Sequence, residues 1–225
     1  MSFMDILFKG GFLMIPICLC SIFALAIILE RLVKYAKVKG NFGKLTDKLE
    51  PLIVGNKLGE AILLCEESKG AISRLYLIAL QELQKNVHIK RSIEEEMTSS
   101  REVMDEELLV SIVPALERNL NGLDTLARGT PLLGLLGTVI GMIQVFFTLG
   151  LGGRVPDPSI LAKGIGLALI TTAAGLVVAI PSFFMHRYFE GRVDSLLNEA
   201  QKAKVWLISQ LAKRRLLAMD DDDED

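Results

Sequence analysis

Three long stretches of this sequence contain no Asp, Glu, Lys, Arg or His. Residues 12–29 run 18 positions without a charge, residues 129–153 run 25, and a third stretch extends from residue 164 to residue 185. Aromatics are scarce as well, at 6% in a chain that is 51% hydrophobic. Soluble domains rarely combine such hydropathy with so few rings, and the clumping of the apolar residues points to a membrane protein. Cysteine is limited to Cys18, Cys20 and Cys65, with no CxxC and no Cys/His metal spacing. That excludes a disulfide framework and a structural metal, and leaves the thiols as small apolar fillers. The net charge of −2, without a basic patch, excludes a nucleic-acid partner. There is no nucleophile–base pair, metal cluster or phosphate loop, so neither an enzyme nor a cofactor is expected.

A helix needs about 20 apolar residues to cross the hydrocarbon core. All three stretches qualify, the first narrowly. Lys9 precedes that first run as in a signal peptide, but 18 residues is long for an h-region. Basic residues follow at once, so it reads as a retained span. Orientation follows from Lys and Arg near the span ends. Nine of them (Arg31, Lys34, Lys37, Lys39, Lys44, Arg118, Arg128, Arg187, Arg192) fall on one side, and three (Lys9, Arg154, Lys163) on the other. The sequence therefore predicts an all-α membrane protein with a periplasmic N-terminus and a cytoplasmic C-terminus. Its parts are a periplasmic interfacial segment over 1–11, spans over 12–30, 129–151 and 164–186, and a helical cytoplasmic domain over 31–128. A periplasmic loop covers 152–163, a cytoplasmic C-terminal helix 187–219, and an acidic disordered tail 220–225.

Residues 30–128 carry 15 Lys and Arg against 16 Asp and Glu. Residues 58–65 and 72–83 read as short amphipathic helices separated by Lys69-Gly70, and 91–109 also reads as helical. Pro114 is expected to kink or interrupt that helix. Leucines at 116, 120, 123 and 126 keep helical spacing beyond it, so one long helix is expected to run from the cytoplasm into the second span. The acidic runs Glu94-Glu95-Glu96 and Glu106-Glu107 are read as a solvated helix face in preference to a cation vestibule.

The polar atoms inside the spans are segregated. At 100° per residue, Gln144, Gly137, Thr148, Gly141, Gly134, Val145 and Thr138 fall within about 120° of the second span. In the third, Thr171, Gly164, Ser182, Gly175, Ala168, Ala179 and Thr172 fall within about 100°, with Gly166, Ala173, Ala174 and Pro181 outside. Lipid gives apolar side chains no reason to prefer protein, so helices associate through small residues and interhelical hydrogen bonds. Gly137/Gly141 and Gly164/Ala168/Thr172 suit close packing. Two readings stand side by side: packing seams with threonines bonded to their own backbone, or a wettable lining between helices. A proton path usually needs a titratable group at membrane depth. These spans supply hydroxyls and no acid, so a conducted proton requires a carboxylate from another helix.

The segments GTPLLGLLGTVIGMIQVF, from Gly129, and ALITTAAGLVVAIP, from Ala168, resemble the two hallmark membrane segments of the ExbB/TolQ/MotA proton-channel family. GGFLMIPICLCSIFALAIILER, from Gly10, looks like the first span of its ExbB/TolQ branch. The resemblance implies a pentamer around a central pore that holds two helices of an ExbD/TolR/MotB-like partner, each with a proton-carrying Asp. Work then passes to TonB, TolA or a flagellum. By motif, Thr138 and Thr172 match the pore-lining threonines, with Thr171, Thr148 and Gln144 beside them, and Pro181 matches the cytoplasmic end of the third span. ExbB proteins often carry Glu five residues before the span-three threonine, where this chain has Leu167. The length of the cytoplasmic segment favours ExbB/TolQ over a MotA-like stator subunit. The competing function is a non-conducting scaffold that anchors a periplasmic partner.

Overall fold

The computed structural model describes residues 12–37, 42–68, 70–86, 92–150 and 158–223. The N-terminal segment expected to lie at the interface falls outside them. Among the described residues eight α-helices follow one another: α1 (Met14–Lys37), α2 (Phe42–Val54), α3 (Leu58–Glu67), α4 (Ala71–Asn86), α5 (Ile93–Glu107), α6 (Val113–Glu117), α7 (Leu120–Gly150) and α8 (Pro158–Asp223). A π-helical turn, Leu108–Ile112, joins α5 to α6. The described residues contain no strand. The chain divides into two compact units, Met1–Leu32 with Asn119–Glu190, and Val33–Arg118 with Gly191–Asp225.

The first unit holds the three helices long and apolar enough to cross a membrane, α1, α7 and the first part of α8. Large apolar side chains point outward from each: Ile22 and Phe23 on α1, Leu132 and Phe146 on α7, Val177 and Phe184 on α8. That inverted surface suits hydrocarbon, because backbone polar groups are satisfied within each helix. The expected long helix into the membrane is broken. Pro114 sits in the first turn of α6, where its missing N–H costs nothing. The interruption falls at Asn119, whose φ of 65° puts it in the left-handed region that asparagine tolerates. The Asn119 amide then donates to Glu30 Oε2 at 3.0 Å.

Two prolines lie inside the spanning helices, Pro131 in α7 and Pro181 in α8. Each removes a rung of the ladder. A hydroxyl next to each occupies a carbonyl in the same turn: Thr130 donates to Leu126 O at 2.5 Å, and Ser182 to Val178 O at 2.7 Å.

The second unit is built on amphipathic faces. In α4, Ile72, Leu75, Tyr76, Ala79, Leu80 and Leu83 recur at helical spacing, and all are buried. Leu49 and Ile53 of α2, Met104 of α5 and Leu207 of α8 complete this core. Tyr76 packs on Trp206 with ring centroids 5.5 Å apart. Ion pairs tie α8 to α5 and α2: Arg215 to Glu96 at 2.7 Å, Lys204 to Asp105, and Lys213 to Glu50 at 3.7 Å. Ser92 and Glu95 form a capping box that starts α5. Glu96 of the first acidic run thus contributes a partner to α8 as well as solvated charge. Helix α8 also takes in the aspartates at 220–223 that their charge had assigned to a disordered tail. Each costs about 0.7 kcal/mol relative to alanine, which is small against extension of an existing helix.

Cys65 is 2% exposed in this core, and burial pushes its thiol up to about 12. Burial also raises the Tyr76 hydroxyl, and nearby Cys65 adds to that shift. An unfolded thiol ionises near about 8.5. Below that pH Cys65 is neutral in both states and the shift has no effect on stability. Above it the unfolded chain releases the proton first, so stability falls as pH rises from there toward 12. At pH 8.5, iodoacetamide is expected to label folded Cys65 at least a hundredfold more slowly than the denaturant-unfolded chain, read by mass spectrometry. Equal rates would contradict the burial.

Candidate functional site: the seam between α7 and α8

Within the first unit, the small residues of α7 lie on the small residues of α8. A Cβ added at Gly175 would sit 2.6 Å from Thr130 O and 3.4 Å from Gly134 Cα. At Gly134 it would meet Thr172 Cα at 2.9 Å and Thr171 O at 3.0 Å. At Gly137 it would enter the Thr171 hydroxyl, and at Gly141 it would lie 3.0 Å from Ala168 Cβ. At Gly164 it would strike Val145 Cγ2. The contacts pair 130 with 175, 134 with 172, 137 with 171, 141 with 168 and 145 with 164. As one number rises the other falls, so the helices run antiparallel with their glycine notches interlocked. This is the close approach that small residues permit in lipid.

The hydroxyls divide between the interior and the margin of this seam. Thr171 is 3% exposed, packed against Gly137, and donates to Ala168 O at 2.6 Å. Thr172 is half-buried and donates across the seam to Gly134 O at 3.0 Å. Thr138 is half-buried and donates to Leu135 O of its own helix at 2.7 Å. Gln144 is exposed, and the Thr148 side chain lies outside the described residues. Pro181 is exposed one residue before buried Ser182. The seam thus brings Gly134, Gly137, Gly141, Gly164, Ala168, Thr171, Thr172 and Gly175 into contact. Thr138 and Gln144 stand outside those contacts, Thr138 half-buried and Gln144 exposed.

Periodicity alone missed Thr130. It is 1% exposed, and its carbonyl is the atom nearest Gly175. The signal was present one turn before Gly134, since 130, 134, 137 and 141 share a face.

A cavity of about 240 Å³ opens beside the seam, lined by Phe12, Leu13, Gly137, Ile140, Gly141, Gln144, Leu167, Ala168 and Thr171. Leu167 gives it an apolar wall where the resemblance raised the question of a glutamate. No group of three or more His, Cys, Asp or Glu suited to a metal exists among the described residues. At one end of the helix pair Arg128 meets Asp124 at 2.9 Å and Arg187 meets Glu190 at 2.7 Å.

Sequence comparison places these features in a known group. Residues 68–202 match the MotA/TolQ/ExbB proton channel family. A biopolymer transport protein ExbB homolog from Methanothermobacter thermautotrophicus is 33% identical over 140 residues, 61% of this chain and 49% of that protein. The match therefore spans about half the length of that relative. A biopolymer transport protein ExbB-like protein from Synechocystis sp. is 32% identical over 193 residues, 82% of this chain and 69% of that protein. The Tol-Pal system protein TolQ of Haemophilus influenzae is 36% identical over 84 residues, 37% of this chain and 36% of that protein. Residues 68–202, 135 of the 225 positions, take in the whole α7–α8 seam, and the chain belongs to the MotA/TolQ/ExbB proton channel family.

Proposed function

We propose that this chain is the pore-forming subunit of a proton-driven motor complex in the bacterial inner membrane. It works with an ExbD/TolR-like partner that spans the membrane once and brings an Asp to membrane depth. Five copies surround the partner helices, the N-terminus lies in the periplasm and the C-terminus in the cytoplasm. The complex converts the proton motive force into work delivered through a TonB- or TolA-like protein. The observation that carries this reading is the coexistence of part-exposed hydroxyls at Thr138 and Thr172 with three uncharged stretches, 12–29, 129–153 and 164–185, that hold no acid. A carboxylate brought by another helix completes a path that this chain leaves without a titratable group. The driving force is adequate, since one charge crossing 100 mV yields about 2.3 kcal/mol. A non-conducting scaffold is the second reading. It draws on the seam itself, where Thr171 and Thr172 serve helix packing.

Co-expression with a one-span, Asp-bearing partner, purification of the complex and reconstitution in liposomes distinguish the two. Proton flux is expected under an imposed potential, and replacing the partner's Asp with Asn is expected to abolish it. A complex that co-purifies in full and stays impermeant supports the scaffold.

A further inference from the structure

Helix α7 carries an ion pair at a depth where its neighbours carry no charge. Asp124 and Arg128 meet at 2.9 Å, with side chains 29% and 79% exposed. Both fall within Leu120–Phe147, the part of α7 long and apolar enough to cross a membrane. Contacts inside this unit fix their depth. Glu30 of α1 accepts from the Asn119 amide at 3.0 Å, and Ile27 Cδ1 lies 3.6 Å from a carbon added at Gly122. The two helices run antiparallel, so Asp124 is level with Leu25 of α1 and Arg128 with Ser21. Along α8 the contacts of 134 with 172 and 130 with 175 lead on to Val177 beside Arg128 and Pro181 beside Asp124. The uncharged runs of α1 and α8 end at Leu29 and Met185. Both registers therefore put Arg128 about eight residues, or about 12 Å, inside the apolar ends of its neighbours, and Asp124 about 6 Å inside. At that depth the neighbours turn Ile22, Leu25, Val177 and Ile180 outward.

Neither neighbour covers the pair. At 100° per residue Asp124 and Arg128 fall about 40° and about 80° to one side of Thr138, while the notches at Gly134, Gly137 and Gly141 fall to the other. Nor does the pair satisfy itself. A guanidinium has five N–H donors, and Arg128 spends one, Nε, on Asp124 Oδ1. Among the described residues it has no other partner. A charge at membrane depth is costly, and it stands against another charge, in the interior of a bundle or in water.

We infer that this face of α7 is wet: a water-filled recess enters from the end where α7 begins and reaches at least as far as Arg128. Water supplies the acceptors that the remaining N–H groups need, and it spares the pair the cost of hydrocarbon. Snorkelling is no substitute. Side chains on a helix lean toward its start, and Arg128 has already used that lean to reach Asp124, which is itself inside the apolar boundary. The recess is as compatible with a scaffold as with a channel, so it stands or falls apart from the channel reading. Asp124 is fourteen residues, about 21 Å, from Thr138, so the hydroxyl level keeps its need for an acid from outside.

The test is thiol accessibility of the full chain in membranes opened to polar reagents on both faces. Cys18, Cys20 and Cys65 are replaced with alanine, and single cysteines are then introduced as Arg128→Cys, Asp124→Cys, Ile22→Cys and, outside the spans, Lys57→Cys. The probe is methanethiosulfonate ethylsulfonate, a charged reagent that attacks a thiol only where water reaches it. Arg128→Cys and Asp124→Cys are expected to react within about tenfold of the Lys57→Cys rate, and Ile22→Cys at least about a hundredfold more slowly. Cysteine is too short to snorkel, so lipid or a second copy of this chain against α7 would leave position 128 unreactive. A rate at Arg128→Cys below a tenth of that at Lys57→Cys therefore overturns the inference. An Ile22→Cys rate equal to that at Lys57→Cys overturns it too, because the depth taken from α1 is then wrong. Where Arg128→Cys does not fold, Asp124→Cys is judged by the same limits.

Discussion

Gly175→Leu is expected to leave no folded membrane unit. At this position the first side-chain carbon alone would stand 2.6 Å from Thr130 O and 3.4 Å from Gly134 Cα. Both obstacles are backbone, so neither can rotate out of the way. Helices α7 and α8 would have to separate, and the notches at Gly134, Gly137 and Gly141 would empty together. Overpacking of a soluble core costs about 1–3 kcal/mol, with side chains absorbing part of the strain. Here nothing flexible absorbs it, and in lipid no hydrophobic term draws the separated helices back together. The variant is expected to aggregate on extraction into mild detergent, read by size-exclusion chromatography. Gly166→Ala supplies the contrast. It lies on the same helix with nothing within 4 Å of an added carbon. Removing a helix glycine there is expected to be neutral or to stabilise by up to about 1 kcal/mol. A monodisperse Gly175→Leu protein with an unchanged melting temperature would refute the seam as described.

The double variant Thr138→Val/Thr172→Val is expected to assemble and fail to conduct. Valine keeps the shape of threonine and removes the hydroxyl. For assembly, the loss is one interhelical hydrogen bond, Thr172 to Gly134 O. Such bonds within membranes contribute about 0.6 kcal/mol on average, too little to undo an interface of five glycine contacts. For conduction on the proposed channel reading, the partner's acid loses two hydroxyl partners. An unsatisfied polar group costs about 1–3 kcal/mol, and every 1.36 kcal/mol on a barrier is tenfold in rate. Proton flux per complex is therefore expected to drop at least tenfold, with subunit composition and melting temperature close to wild type. Flux within twofold of wild type would show that the hydroxyls serve packing alone.

The sequence revealed faces more readily than partners. Helical periodicity located α3, α4 and α5 to within a few residues, because their buried positions recur at 3.6-residue spacing. It also collected the seam residues on two stripes. Periodicity carries no information on what a face meets, so the pairing of one stripe with the other came only from coordinates. Helix α2 was not singled out, and it holds Pro51, a residue that helix interiors disfavour. The break before α7 was equally hidden. It depends on one asparagine in the left-handed region, a conformation that composition permits without requiring. Thr171 shows the same limit at the site. Its hydroxyl reads as polar on a helical wheel, yet it is turned into Gly137 and bonded to Ala168 O.

The notches along α7 and α8 bear on motion. Each glycine of one helix receives a particular neighbour of the other, Gly134 taking Thr172 and Gly141 taking Ala168. A slip of less than a turn would press side chains onto backbone at Gly134 and Gly175, where an added carbon already stands 2.9 Å from Thr172 Cα and 2.6 Å from Thr130 O. Shear of the pair, the small sliding by which many packed helices accommodate a change of state, is therefore blocked. The two helices behave as a keyed joint, and any stroke this protein makes must carry them together as one rigid stave.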